Sequence, residues 1–137
     1  MNKILVFTLT CLILILSIQS HAHTDNETLI PDETIIGSDL IEFPNDSNIV
    51  PKKSEFQLIH SMIMSNIKGE RWATITVRNA AAGVRTIDQD HVLALMANGK
   101  RQFPLAFEQK ILSNQTLSIL VNFGHSQFPI LKLTTRN

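Results

Sequence analysis

The chain has 137 residues, twelve basic and twelve acidic side chains, and a single cysteine, Cys11. One cysteine excludes an intrachain disulfide framework, and the even balance of charge excludes a strongly basic, nucleic-acid-coating chain. With 44% hydrophobic residues the chain carries enough apolar surface for one modest core.

Residues 1–22 predict a secretory signal peptide. Lys3 supplies a cationic start, an apolar stretch runs from Ile4 to Ile18, and Ser20 and Ala22 fit the small-residue positions before a cleavage site. The stretch falls short of the ~20 apolar residues that span a bilayer, so cleavage is expected and no transmembrane span remains. Cys11 sits inside the apolar run, behind Thr10 rather than a small residue, which argues against lipid attachment. Cleavage after Ala22 leaves no cysteine, and thiol catalysis and cysteine-ligated zinc go with it. An exported chain without disulfides is expected in a bacterial periplasm or outside the cell.

Residues 23–50 form an acidic lead. Seven acidic residues occur there with no Lys or Arg, whereas Pro51 onward has eleven basic and five acidic residues. Pro31, Gly37, Pro44, Asn45 and Asp46 break up this lead, which predicts a mostly extended segment. Its apolar residues (Leu29, Ile30, Ile35, Ile36, Leu40, Ile41, Phe43) are too many for a purely solvated tail. Residues 40–43, LIEF, are expected to add a strand or dock on an open sheet edge.

Residues 51–137 read as one β domain. EFQLIHSMIM alternates poorly and predicts a strand with a bulge or at an edge. RWATITVRN alternates cleanly, with Ala73, Ile75 and Val77 on one face and Thr74, Thr76 and Arg78 on the other. VRTI is a short strand, and Asp88-Gln89-Asp90 is the connection that redirects it. An Asp side chain accepts a hydrogen bond from the amide two residues on, so this stretch needs no ligand. Read as a calcium loop it would place Leu93 where Gly is required and Gly99 where Glu is required. VLALMA and KRQFPLAF then pair across Asn98-Gly99, which predicts a two-residue type I′ turn. TLSILVNF turns Leu117, Ile119, Val121 and Phe123 inward, and PILKLTTR does the same with Leu131 and Leu133.

About seven strands with closely spaced turn signals predict an all-β fold, an antiparallel β-sandwich. The stretch from Val77 to Asn79, the turn at Asp88, the Asn98-Gly99 hairpin and Asn114-Gln115-Thr116 resemble the immunoglobulin-like domains of small exported bacterial proteins. The similarity covers roughly residues 70–125 and implies the fold alone, because one fold hosts many activities.

Catalytic signals are absent from the sequence. No G-x-S-x-G elbow surrounds a serine, no Gly-rich phosphate loop occurs, and Asp88 and Asp90 share one short turn rather than flanking a substrate. The reading is therefore not an enzyme and calls for no cofactor. A metal reading rests on His23, which cleavage would make the first residue. Its amine and imidazole could chelate Cu(II), as in periplasmic copper carriers that begin with His. Asp90 and His91 lack the Asp-x-His spacing of those carriers. His60 and His91 are expected as half-exposed packing residues.

Trp72 shares its parity with Thr74 and Thr76, so a regular strand would point it away from the core, and Leu120 presents the same conflict. A bulge near Gly69-Glu70 that turns Trp72 inward is favoured; exposed instead, Trp72 would anchor an interface. Lys100 and Arg101, just past the hairpin turn, are the other candidate partner-binding residues. The expectation is an exported binding or accessory module. It meets a protein or cell-envelope component through a sheet edge or hairpin end, not nucleic acid; copper binding through His23 is the alternative.

Overall fold

The computed structural model describes residues 28–33, 41, 43–44 and 49–137. The expected signal peptide, His23 and most of the acidic lead lie outside the described residues. The strands, in chain order, are β1 (Ile30–Pro31), β2 (Phe56–Ser65), β3 (Glu70–Asn79), β4 (Arg85–Asp88), β5 (Leu93–Met96), β6 (Arg101–Gln102), β7 (Glu108–Ile111), β8 (Thr116–His125) and β9 (Ile130–Thr134). A 3-10 turn, Gln89–His91, joins β4 to β5. No helix among the described residues is long and apolar enough to cross a membrane.

The strands form antiparallel ladders in the orders β1-β2-β3-β8, β4-β7 and β6-β5-β9. The all-β expectation therefore holds. The inner faces share one apolar core. Ala73, Ile75 and Val77 of β3 are 0% exposed, as their alternation required, and Val121 and Phe123 of β8 lie beside them. Ala94 and Met96 of β5, Ile130 and Leu133 of β9, Ile87 of β4 and Ile111 of β7 complete the cluster. Each fully buried aliphatic side chain contributes about 1.5–3 kcal/mol of transfer free energy, so this cluster is the main source of stability.

Several local expectations need correction. The hairpin after β5 is not a two-residue type I′ turn. Leu95 pairs with Arg101, the Gly99 amide donates to the Met96 carbonyl at 2.9 Å, and the Met96 amide donates to the Lys100 carbonyl at 2.9 Å. Gly99 has φ of +81° while Asn98 does not enter the positive region. That is a three-residue loop closed by a glycine bulge, in which only one position needs the left-handed conformation. The residue inward on β9 is Ile130 rather than Leu131. Leu95 pairs with Lys132 and Met96 with Ile130, so Leu131 is the extra residue of a bulge and its parity is lost.

Strand β7 had no sequence signal, because three of its four residues are exposed and only Ile111 reaches the core. It exists because β4 pairs with it from Arg85↔Ile111 to Asp88↔Glu108. In the lead, Ile30–Pro31 forms a strand, and the expectation for residues 40–43 falls partly outside the described residues. Ile41 and Phe43 are half-buried without strand structure, and Leu40 and Glu42 lie outside the described residues. The bulge expected in EFQLIHSMIM falls between Leu58 and His60, and β1 covers only the Met64–Ser65 end of that strand.

Candidate binding surface

The register of β2, β3 and β8 fixes what the outer side of the largest sheet displays. Going across the strands, His60, Thr76 and Ser118 form one row; Met62, Thr74 and Leu120 the next; Met64, Trp72 and Asn122 the third. Each is the strand neighbour of an inward residue such as Ala73, Ile75 or Val121, so period two sends them outward. Met62 is 46% exposed and Leu120 51%, and Ile59, displaced at the β2 bulge, is 57% exposed. Thr76 Oγ1 and Ser118 Oγ are 2.9 Å apart and satisfy one another. None of the nine grid residues carries Lys, Arg, Asp or Glu. Arg78 at one end and Lys68 and Glu70 near the other put charge only on the rim.

Trp72 keeps its outward parity. The register does shift between Glu70 and Trp72, but the shift leaves Trp72 opposite Met64 and Asn122 rather than turning it into the core. The side chain is half-buried, lining a hollow of about 300 Å³ with Leu29, Lys68 and Glu70. Leu29 of the lead thus faces the same hollow as Trp72. The indole N–H is out of solvent and has no acceptor among the described residues, a state that costs about 1–3 kcal/mol. Glu70, on the same hollow, has its Oε2 accepting from Asn66 Nδ2 at 2.6 Å.

Lys100 lies just before β6 and Arg101 in it, on the β6-β5-β9 ladder, so the fold does not gather the three candidate partner-binding residues on one sheet. Lys100 is exposed, and its amide donates to Asn98 Oδ1 at 3.1 Å within the turn. Arg101 Nη1 donates to the Ile49 carbonyl at 3.1 Å, which ties the end of the lead to β6.

Asp88-Gln89-Asp90-His91 works as a turn. The Asp88 carboxylate accepts from the Asp90 amide at 3.0 Å, as expected of an Asp at this position. His91 Nδ1 lies 3.2 Å from the Asp88 amide and 2.7 Å from Asp88 Oδ1. With Nδ1 bare the ring accepts from the amide; with Nδ1 protonated it donates to the carboxylate. His91 is 5% exposed and meets Phe56 edge-on at 5.4 Å between ring centres, so it is a core residue and not a half-exposed one. His60 is exposed on the outer face. A hollow of about 360 Å³ opens beside His91, lined also by Lys53, Ser54, Glu55 and Arg85. Arg85 and Glu55 pair across it at 3.5 Å with both side chains more than half exposed, a contact that solvent screens to little net value.

Among the described residues no group of three or more His, Cys, Asp or Glu is placed to hold a metal ion. Comparison with family models, with curated proteins and with solved structures finds no match.

Proposed function

We propose that the chain is an exported, non-catalytic binding module with an immunoglobulin-like sandwich fold, and that it meets a protein partner through the outer face of the β2-β3-β8 sheet. The observation that carries this reading is a grid free of Lys, Arg, Asp and Glu, in which Met62, Leu120 and Trp72 surround Thr74 and the first two are exposed, with Arg78, Lys68 and Glu70 at its ends. Protein interfaces have that composition: charge is depleted at the core, Met and Trp are enriched there, and the rim is polar. A nucleic acid or an anionic membrane would call for the reverse, with cations at the centre.

Three rows and three strands span about 13 by 10 Å between the outermost Cα positions. Even with side chains added, that is less than the ~800 Å² per partner of a stable complex. The contact belongs to the transient class, in which release matters as much as capture. The test is retention of a partner from envelope extract by the wild-type chain and by a Met62→Asp, Leu120→Asp variant. A partner held by the first and lost by the second supports the reading. No partner held by the wild type, or equal retention by both, contradicts it.

A further inference from the structure

The outer row of β2 also has a donor chemistry of its own. In His60-Ser61-Met62-Ile63-Met64 the alternate residues are the ones that face outward, so two thioethers and an imidazole stand in line on one strand. Methionine is ordinarily a gap-filler of cores. Here Met62 is 46% exposed and Met64 is half-buried. Directly across from Met64 stands Trp72, the only tryptophan of the chain, and it is diagonal to Met62. Diagonal neighbours on adjacent strands lie about 7–8 Å apart, within reach of an aromatic and a long flexible side chain.

Spacing decides which of these groups can act together. Met62 and Met64 are two residues apart, about 6.6 Å along the strand, and two unbranched side chains with three rotatable bonds each can converge over that gap. His60 and Met64 are about 13 Å apart, too far to share an ion centred between the two methionines. Register puts Trp72 across from Met64 and His60 across from Thr76, so the donors at the tryptophan end of the row are the two thioether sulfurs. Thioethers are soft ligands that select monovalent copper and its analogues over Zn(II), Ca(II) or Mg(II). Tryptophan has the aromatic face that attracts a cation most strongly.

We propose that Met62 and Met64 form a binding site for a soft monovalent cation, Cu(I) or Ag(I), against the ring of Trp72. The site is separate from a Cu(II) chelate at His23, since it uses no nitrogen and requires no free N-terminus. It shares Met62 and Trp72 with the protein-docking reading but rests on sulfur donors rather than on apolar contact.

The test is a titration of the full chain carrying Cys11→Ser, so that no thiolate competes. Ag(I), and Cu(I) under a reductant, are added while Trp72 fluorescence is followed. The expected result is quenching that saturates at one equivalent with either ion, and no such response to Zn(II). Met62→Leu and Met64→Leu keep the apolar volume and remove the sulfur. Each should weaken binding more than the ~10–100-fold that loss of a mere outer-shell partner costs, with an unchanged unfolding midpoint. His60→Ala should leave the titration as it was. Quenching that survives the double Met→Leu variant, that follows His60 instead, or that never saturates overturns the proposal. Leu120→Asp separates the two readings: Leu120 carries no sulfur and lies on β8, so this variant should lose partner retention while its ion titration stays as in the wild type.

Discussion

Asn79, at the end of β3, donates from its side-chain amide to the carbonyl of Ile111 on β7 at 3.0 Å, although the two belong to different ladders. The same nitrogen reaches the carbonyls of Gly83 at 2.8 Å and Leu112 at 3.1 Å, and Asn79 Oδ1 accepts from the Ala81 amide at 3.0 Å. Asn79 is 0% exposed; its contacts to the Ile111 carbonyl and the Ala81 amide are buried, while the Leu112 carbonyl also accepts from the Gln115 amide at 3.1 Å. Asn79→Ala removes the side-chain partner of the Ile111 carbonyl and of the Ala81 amide, both in buried contacts, and should cost about 3 kcal/mol. Urea unfolding of the variant checks this; a loss under about 1 kcal/mol would show that the amide is dispensable.

The two faces of the main sheet should respond differently to truncation. Ile75 is 0% exposed, and Ile75→Ala leaves a cavity in the shared core, with an expected loss of about 2–5 kcal/mol. Leu120, on β8, pairs not with Ile75 but with its neighbour Thr74 and is 51% exposed; Leu120→Ala should change stability by less than about 1 kcal/mol. Paired denaturation curves test the contrast, and equal losses would mean that the outer face is packed against something.

Asp88 acts through the oxygen that receives the Asp90 amide. Asp88→Asn retains an acceptor of the same shape and should unfold within about 0.5 kcal/mol of the wild type, whereas Asp88→Ala should lose about 1 kcal/mol. A large loss in the Asn variant would mean that the carboxylate charge toward His91, rather than the turn hydrogen bond, is what matters.

Legibility followed the period of the strands. Ala73, Ile75 and Val77 alternate without interruption, and their burial could be read directly. Where a bulge intervenes, at Leu58–His60 and at Leu131, parity counted from the sequence fails on the far side. β7 was invisible because EQKI has one core residue and is held by its neighbour, not by its own pattern. Trp72 shows the opposite error. Parity pointed it outward, and the general habit of burying a lone tryptophan argued for an inward flip that the strand does not make. The row of His60, Met62 and Met64 was legible only after the bulge beside Ile59 set its phase. The role of Asn79 depends on contacts up to 33 residues away, beyond any local pattern.

The most direct test of the account is chemical labelling of single cysteines on the two faces, in a Cys11→Ser background that has no other thiol. The account predicts that cysteine at position 62 or 120 is modified rapidly in the folded protein, while cysteine at position 75 or 121 reacts only as the chain unfolds. Protection of positions 62 and 120 to the level of 75 and 121 would mean that the outer face is already covered, and the surface proposed for binding would not exist.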